Sequence, residues 1–387
     1  MAFRFLKSRV VAAAFMALCA AAAAASDKPA PTASAKQTRS YAVSWFFVAT
    51  YLQDDDCPDG TNPMAGQLYT RILKELGYTP AEIEYLLGAI ADDGDIRDKN
   101  GRSLRQIGAL RGRIDGREVD VMVYPTSAAD PKIHLAQGRY ANGFNLDGKI
   151  SDDPRSSEDP DTHELGVDNR LRQAMGCTDQ FRTRLPDRPG HPANDWDQSR
   201  DKMPAWLMTV TGDDLTKDGD VVVTFDRALE PVRRDANGDV MPDVTFRIDP
   251  DARSHSTAPG RITGGRLVTT APFHYVMTAD PSISPTFEMY ETHLRVDMQP
   301  DRSLKGYLGG YRPWQMIYFT FAGLGVGIEL TYSIDLPGLY HAMKRLADYD
   351  PDPKTGEMRA ISATYRMELV PAFVVPREVG NDVVARR

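Results

Sequence analysis

The sequence predicts an α+β fold, in which a mixed N-terminal part with two helices precedes a β-sandwich-like antiparallel part. In the first hundred residues, one apolar strand is followed by two amphipathic helical segments. From Trp206 onward, short runs rich in β-branched and aromatic residues alternate with Gly, Asp, Asn and Pro, which is typical of sandwiches and barrels. The chain has 387 residues, a length that allows two or three domains.

The composition excludes several classes of protein. With 42% hydrophobic and 26% charged residues, the chain is close to the average globular protein, so it is neither collagen-like, disordered overall nor polytopic in a membrane. Its 46 basic and 54 acidic residues give a net charge of -8. Because a nucleic-acid binder needs a concentrated basic face, we expect no nucleic-acid partner.

Residues 1–25 have the pattern of a signal peptide. A basic stretch precedes an apolar run over 10–25, which ends in three alanines before Ser26, as at a cleavage site. The alternative is a membrane anchor, but this run is shorter than the roughly 20 residues that a helical span needs. We therefore expect a periplasmic or secreted protein without a membrane span after cleavage. Residues 26–39 are polar and small, and they predict a flexible leader.

Cleavage of the signal peptide would leave two cysteines, Cys57 and Cys177. In an oxidising compartment this pair favours one disulfide bond, and two separate thiols are the alternative. The bond would close a loop of about 120 residues and stabilise the fold by about 4–5 kcal/mol on the chain-entropy model.

The mixed N-terminal part spans residues 40–204. Aromatic and β-branched residues dominate 41–52 and predict a buried strand. The first helix ends at Gly77, and the second starts at Thr79, which can form a capping box with Glu82. The remaining predicted elements are a strand at 117–124, a loop at 141–168, a short helix at 167–175 and a linker at 178–204.

The β-rich C-terminal part spans residues 205–387 and contains one late helix. That helix is predicted at 337–347, where four apolar residues share a face. The strand-like runs lie at 206–212, 220–225, 243–249, 266–270, 287–298, 303–311 and 361–375.

An acidic loop between residues 147 and 168 is the first candidate site. It holds eight acidic and two basic residues, whose carboxylates would repel one another in a packed loop. A calcium ion would relieve the repulsion, since calcium prefers oxygen ligands from flexible loops. The alternative is a solvated acidic loop without a ligand. The candidate metal ligands are Asp147, Asp152, Asp153, Asp159, Asp161 and Asp168.

A second candidate calcium loop runs from Asp235 to Asp243. The candidate ligands stand at its positions 1, 3, 5 and 9, and they are Asp235, Asn237, Asp239 and Asp243. This spacing resembles the short calcium loops of FG-GAP-type and dockerin-like repeats, although Val240 stands where those loops usually carry glycine. The alternative is a hairpin turn at Asn237-Gly238. A third acidic run, which starts at Asp348, lacks the twelfth-position glutamate of an EF-hand loop.

Three aromatic residues around Gly309-Gly310 are candidate ligand-binding residues: Tyr307, Tyr311 and Trp314. Together with acids and calcium, aromatic rings are common ingredients of carbohydrate recognition. The alternative is that these rings belong to the core of the predicted sandwich.

The sequence lacks the motifs that would name a reaction. It has no Gly-x-Ser-x-Gly elbow, no His-Glu-x-x-His pair and no phosphate-binding glycine loop. We therefore expect an exported soluble binding protein with a structural calcium ion and a glycan or organic polymer as ligand. One alternative is a secreted hydrolase that uses loop carboxylates. Another is an accessory subunit of a cell-envelope complex, whose acidic surface would suit a basic protein partner. The sequence leaves open whether the protein is an enzyme.

Overall fold

The structure, a computed structural model, describes residues 36–50, 55–91, 96–150, 157–279 and 286–375. The predicted signal peptide and residues 26–35 of the predicted leader lie outside these ranges. Residues 37–39 belong to the first strand. None of the described helices is long and apolar enough to cross a membrane.

Eight of the described strands form a closed antiparallel β-barrel. Their order around the barrel is β1, β6, β7, β9, β10, β12, β13 and β15, and β15 pairs with β1 to close it. These strands are β1 (Gln37–Val48), β6 (Pro204–Gly212), β7 (Gly219–Pro231), β9 (His255–Thr263), β10 (Arg266–Thr269), β12 (Thr286–Met298), β13 (Leu304–Pro313) and β15 (Met358–Val375).

Shorter strands extend or accompany the barrel. Two of them pair with β15, one pairs with β12, and four form two small separate sheets. They are β2 (Gly112–Ile114), β3 (Arg117–Val119), β4 (Ser157–Glu158), β5 (Leu165–Val167), β8 (Val244–Arg247), β11 (Phe273–Thr278) and β14 (Tyr349–Pro351).

The predicted fold class is wrong. The first strand does not belong to a separate mixed part, since Ala42 of β1 lies opposite Val370 of β15 on one side and Leu207 of β6 on the other. The strands therefore form one closed barrel rather than a β-sandwich behind a two-helix part. The physical reason is that closure depends on a pairing between opposite ends of the chain, and the local sequence pattern carries no information about it.

The barrel interior is filled by side chains. Phe46 lies at the centre of an aromatic cluster, with ring centroids 5.1 Å from Trp206, 5.0 Å from Phe287 and 4.9 Å from Tyr365. An eight-stranded barrel is just wide enough for its own side chains or for one small ligand. This barrel contains the main hydrophobic core.

Several helices surround the barrel, and the predicted ones are present. Thr79 and Glu82 form the predicted capping box, with the Thr79 amide 2.8 Å from a Glu82 carboxylate oxygen. The helices are α1 (Ala65–Glu75), α2 (Pro80–Ala91), α3 (Leu104–Ala109), α4 (Arg170–Met175), α5 (Gly190–Ser199), α6 (Trp314–Ala322), α7 (Gly327–Tyr332) and α8 (Leu336–Leu346).

The predicted disulfide bond is present. Cys57 and Cys177 are joined, with their Cα atoms 5.8 Å apart. Next to the bond, the buried carboxylate of Asp56 pairs with the buried guanidinium of Arg172. The disulfide therefore ties the segment after β1 to the end of α4.

Candidate functional site

The outward face of strands β12, β13 and β15 brings several sequence-predicted residues together. On β13, Tyr307, Gly309 and Tyr311 alternate with residues that point into the barrel, because successive side chains of a strand point to opposite faces. Their cross-strand partners on β15 are Arg366, Thr364 and Ser362. We call this surface the outer face.

The described residues of segment 139–168, which are 139–150 and 157–168, cover the middle of the outer face. Phe144 lies against Gly309, and a Cβ atom on that glycine would be 2.4 Å from the Phe144 ring. The Phe144 ring also stacks on His293, with centroids 5.7 Å apart. The absence of a side chain at Gly309 thus lets the segment dock onto the barrel and leaves Tyr307 and Tyr311 on either side of it.

A buried ion pair fixes this segment. The Asp159 carboxylate accepts a hydrogen bond from the Arg295 guanidinium at 2.5 Å and further bonds from the backbone amides of Gly143, Asp161 and Thr162. Burial would raise the pKa of Asp159, but the charge of Arg295 and these amides outweigh it and lower the pKa. Arg295 of β12 therefore supplies the positive charge at Asp159, the most buried of the described acids in the loop.

Two other predicted metal ligands of the acidic loop, Asp147 and Asp168, accept hydrogen bonds from backbone amides. Asp168 accepts hydrogen bonds from the amides of Leu146 and Asp147, and Asp147 accepts one from the Lys149 amide. Asp152 and Asp153 lie outside the described residues. In the part of the chain that the structure describes, no group of three or more His, Cys, Asp or Glu side chains could hold a metal ion. Calcium binding by this loop stays a prediction.

The second candidate loop closes on itself as a turn. The Asp235 carboxylate accepts hydrogen bonds from the amides of Asn237 and Asp239 at 2.8 and 3.0 Å, and Gly238 adopts a positive φ of 84°. Asp243 pairs with Arg302 at 2.8 Å. The turn matches the hairpin alternative, and both amides donate to the same Asp235 oxygen, Oδ1. Calcium binding by this loop stays a prediction.

One end of the outer face is acidic, and we call it the acid–tyrosine end. Tyr311 stacks on Tyr349, with centroids 4.1 Å apart. Burial, followed by the charges of Asp168 and Asp348, raises the pKa of the Tyr311 hydroxyl well above its usual range. Two oxygens of Asp348 accept hydrogen bonds from Ser362, both at 2.7 Å.

The carboxyls at the acid–tyrosine end hold their protons unusually strongly. Burial raises the pKa of Asp348 to about 6; hydrogen bonds from Ser362 oppose this shift, and the charge of Asp168 adds to it. Burial likewise raises the pKa of Asp168. At this end, Asp348 is therefore the acid whose carboxyl is still largely protonated at mildly acidic pH.

The other end of the outer face forms a cleft of about 230 Å³, which we call the outer cleft. Leu185 and Pro186 form its apolar rim. The remaining wall is polar, and its side chains include Asp161, Arg295, Asp297, Lys305, Tyr307 and Arg366. The cleft therefore combines a predicted metal ligand, Asp161, with a predicted ligand-binding ring, Tyr307.

Two charges in the outer cleft are free to meet a ligand. Arg366 pairs with Glu368 at 2.7 Å, and Asp297 pairs with Arg266 at 2.6 Å. By contrast, the Asp161 carboxylate and the Lys305 ammonium make no hydrogen bond or ion pair with any described side chain.

Trp314, the third predicted ligand-binding aromatic, lies elsewhere. It starts α6, is buried, and donates from its indole nitrogen to the Met358 carbonyl at 3.0 Å. Arg295 and Lys305 were not among the residues predicted from the sequence. The sequence does contain a signal for Arg295, since this residue stands between the apolar residues Leu294 and Val296 on a predicted strand.

Comparisons of the chain with protein-family models, curated proteins and solved structures found no match.

Proposed function

We propose that this chain is an exported binding protein whose outer cleft holds one unit of a glycan. The observation that carries the proposal is the combination, in one cleft, of an unpaired acid, an unpaired lysine and a tyrosine. Sugars present many hydroxyls on a small body, and they are recognised by charged side chains that hydrogen-bond them together with aromatic surface. The cleft offers the charged groups, and the Tyr307 ring lines its wall although that residue is only 7% exposed.

The cleft is also suited to binding because its floor is rigid. Tyr307 and Lys305 stand on β13, and Arg295 stands on β12, in the closed barrel. Polar groups that are fixed before the ligand arrives lose little conformational freedom on binding. A volume of about 230 Å³ suits a small unit of a longer ligand rather than a whole polymer.

Export is the other half of the proposal. The Cys57–Cys177 disulfide supports it, because such bonds persist in oxidising compartments and are rare in the cytosol. We expect a mature chain that begins near Ser26. Intact mass measurement of the protein from cell fractions tests this directly, and a full-length chain with Met1 in the cytosolic fraction would contradict it.

The binding half is tested by calorimetry with cellohexaose, chitohexaose, maltohexaose and a heparin hexasaccharide. We expect one of these probes to bind, and we expect Asp161→Ala and Lys305→Ala each to weaken binding by about 10-fold or more, the loss of a charged hydrogen bond. The matched control is Asp213→Ala, since Asp213 is exposed and lies outside the cleft. Binding by none of the four probes, or equal binding by all variants, would overturn the proposal.

A second function, hydrolysis, is favoured by the acid–tyrosine end. We propose Asp348 as its proton donor, since a carboxyl with a pKa of about 6 is still largely protonated at mildly acidic pH. Turnover of p-nitrophenyl glycosides should then fall above pH 6 and be lost in Asp348→Asn, while Asp213→Asn leaves it unchanged. Absence of turnover, or turnover retained in Asp348→Asn, would leave the binding function alone.

A further inference from the structure

A second polar site lies inside the barrel, at the end where β1 stops and α6 begins. Arg312, the penultimate residue of β13, is only 5% exposed. Its guanidinium carbon is 3.8 Å from the centroid of the Phe287 ring. It donates from Nη1 to the Tyr365 hydroxyl at 2.5 Å and from Nε to the Glu288 carbonyl at 3.3 Å.

Arg312 differs from the other buried arginines in having no carboxylate partner among the residues that the structure describes. The described part of the chain contains three further buried arginines, and each lies within ion-pair distance of an acid: Arg172 of Asp56, Arg200 of Asp197 and Arg295 of Asp159. Arg312 makes no ion pair with a described residue. A buried charge without an opposite charge is costly, so this position favours an anion from outside.

The guanidinium faces a cavity with room for that anion. The cavity measures about 30 Å³, which admits about two water molecules, and the space around it opens to solvent. Its wall combines Arg312 and Tyr365 with the apolar side chains of Phe46, Ile317 and Phe321. We call it the barrel-end cavity.

We propose that the barrel-end cavity binds the carboxylate of a short-chain monocarboxylic acid, with Arg312 as its cation. The planar guanidinium matches a carboxylate in shape and can donate two parallel hydrogen bonds to it. The aromatic and aliphatic wall suits a short alkyl chain and offers no second cation for a dianion. This site is separate from the outer cleft, so the proposal does not depend on glycan binding.

The acid on the cavity wall sets the pH range of binding. Burial raises the pKa of Asp195 to about 7, so below pH 7 its carboxyl is mostly neutral and does not repel an anion. His191 faces it, with Nε2 3.2 Å from a carboxyl oxygen, and burial lowers the pKa of His191 to about 4. The Tyr332 ring packs on His191, and burial raises the pKa of the Tyr332 hydroxyl. Between pH 6 and 8, Asp195 is thus the group whose charge changes, and binding should weaken as pH rises.

Calorimetry and thermal unfolding with acetate, propionate and butyrate test the proposal on the mature chain, with sodium chloride at equal ionic strength as reference. We expect the carboxylates to raise the melting temperature at pH 6 and chloride to leave it unchanged. In Arg312→Met the affinity should fall at least about 10-fold. In Asp195→Asn the affinity at pH 8 should match that at pH 6.

The variant Arg312→Met also separates binding from folding. Replacing an uncompensated buried charge with an apolar side chain is expected to leave the ligand-free protein as stable as before or more stable. The matched control is Arg172→Met, which removes an equally buried arginine from its partner Asp56 and should destabilise the protein. A carboxylate effect equal to that of chloride, or one that persists in Arg312→Met, would overturn the proposal. So would the absence of any effect at 50 mM ligand.

Discussion

The ion pair between Arg295 and Asp159 gives the sharpest test of how segment 139–168 is held on the barrel. In Arg295→Met, Asp159 keeps its hydrogen bonds from three backbone amides but loses the positive charge beside it. Both side chains of the pair are almost fully buried, so water cannot replace that charge. Breaking a buried pair from one side typically costs about 3–5 kcal/mol, because an uncompensated charge remains. We expect a loss of that size in the free energy of unfolding at pH 7.

The loss should depend on pH with a defined sign. Arg295 lowers the folded-state pKa of Asp159 below its unfolded value, which is about 3.9. In the native protein, the stabilisation is therefore present above about pH 4 and disappears as pH falls through the folded-state pKa. In Arg295→Met, burial dominates and the carboxyl protonates readily in acid. The difference between the two proteins should accordingly be largest at pH 7 and shrink as pH falls through the raised pKa of Asp159 in the variant.

Urea unfolding followed by tryptophan fluorescence measures this difference, since Trp45 and Trp206 are buried in the main hydrophobic core. The matched control is Arg266→Met. The side chains of Arg266 and its partner Asp297 are 38% and 44% exposed, so breaking this pair should lower the free energy of unfolding by less than about 1 kcal/mol. If Arg295→Met lost no more free energy than Arg266→Met, the ion pair would not be what holds the segment.

Three further predictions concern other parts of the molecule. Because burial raises the pKa of Asp195 to about 7, the free energy of unfolding should fall as pH rises from about 4 to 7. In Asp195→Asn, the free energy of unfolding should exceed that of the native chain by up to about 4 kcal/mol at pH 8 and should equal it at pH 4. Urea titrations at both pH values measure this difference. Replacing Cys57 and Cys177 by serine should cost about 4–5 kcal/mol in the same assay, and an unchanged midpoint would contradict this. Excess EGTA should leave the melting temperature unchanged, since Arg295 already neutralises Asp159; a lower melting temperature would favour the calcium prediction instead.

Four of the eight described helices, α1, α2, α4 and α8, could be predicted because the determinants of their ends are local. Thr79 and Glu82 stand three residues apart and hydrogen-bond each other's backbone, so the capping box is readable without knowledge of the fold. The same holds for α4, which ends at Gly176, and for α8, whose cap is Asp335. These interactions span one turn of chain, which is why sequence pattern alone was sufficient.

The barrel could not be predicted because its closure is not local. β1 and β15 are more than 300 residues apart in sequence, and nothing in either strand identifies the other as its partner. Strand β9 was missed for a different reason. It contains Pro259 and Gly260, and its inward positions are occupied by small residues such as Ser256 and Ala258. A period-two pattern of small side chains lacks the hydrophobic contrast by which strands are usually recognised.

The candidate site could be predicted only in part, because the sequence does not show which charged side chains pair in the fold. The acidic loop was chosen because crowded carboxylates need a positive partner, and Asp159 does have one. That partner is Arg295, which lies 136 residues further along the chain, so the sequence could show the need for a cation but not its source. Tyr307 and Asp161 meet in the outer cleft for the same reason, through the docking of segment 139–168.

Pairing also gives a physical criterion for where ligands bind in this fold. Buried charges such as Asp56 and Asp159 are already satisfied by arginines, so an added ion would have to displace an existing partner and its hydrogen bonds. Within the described ranges, Asp161 and Lys305 at the outer cleft and Arg312 at the barrel end have no such partner, so a ligand there would gain an interaction without breaking one. The unpaired charges, rather than the densest acidic sequence, therefore mark where the chemistry of this protein is to be sought.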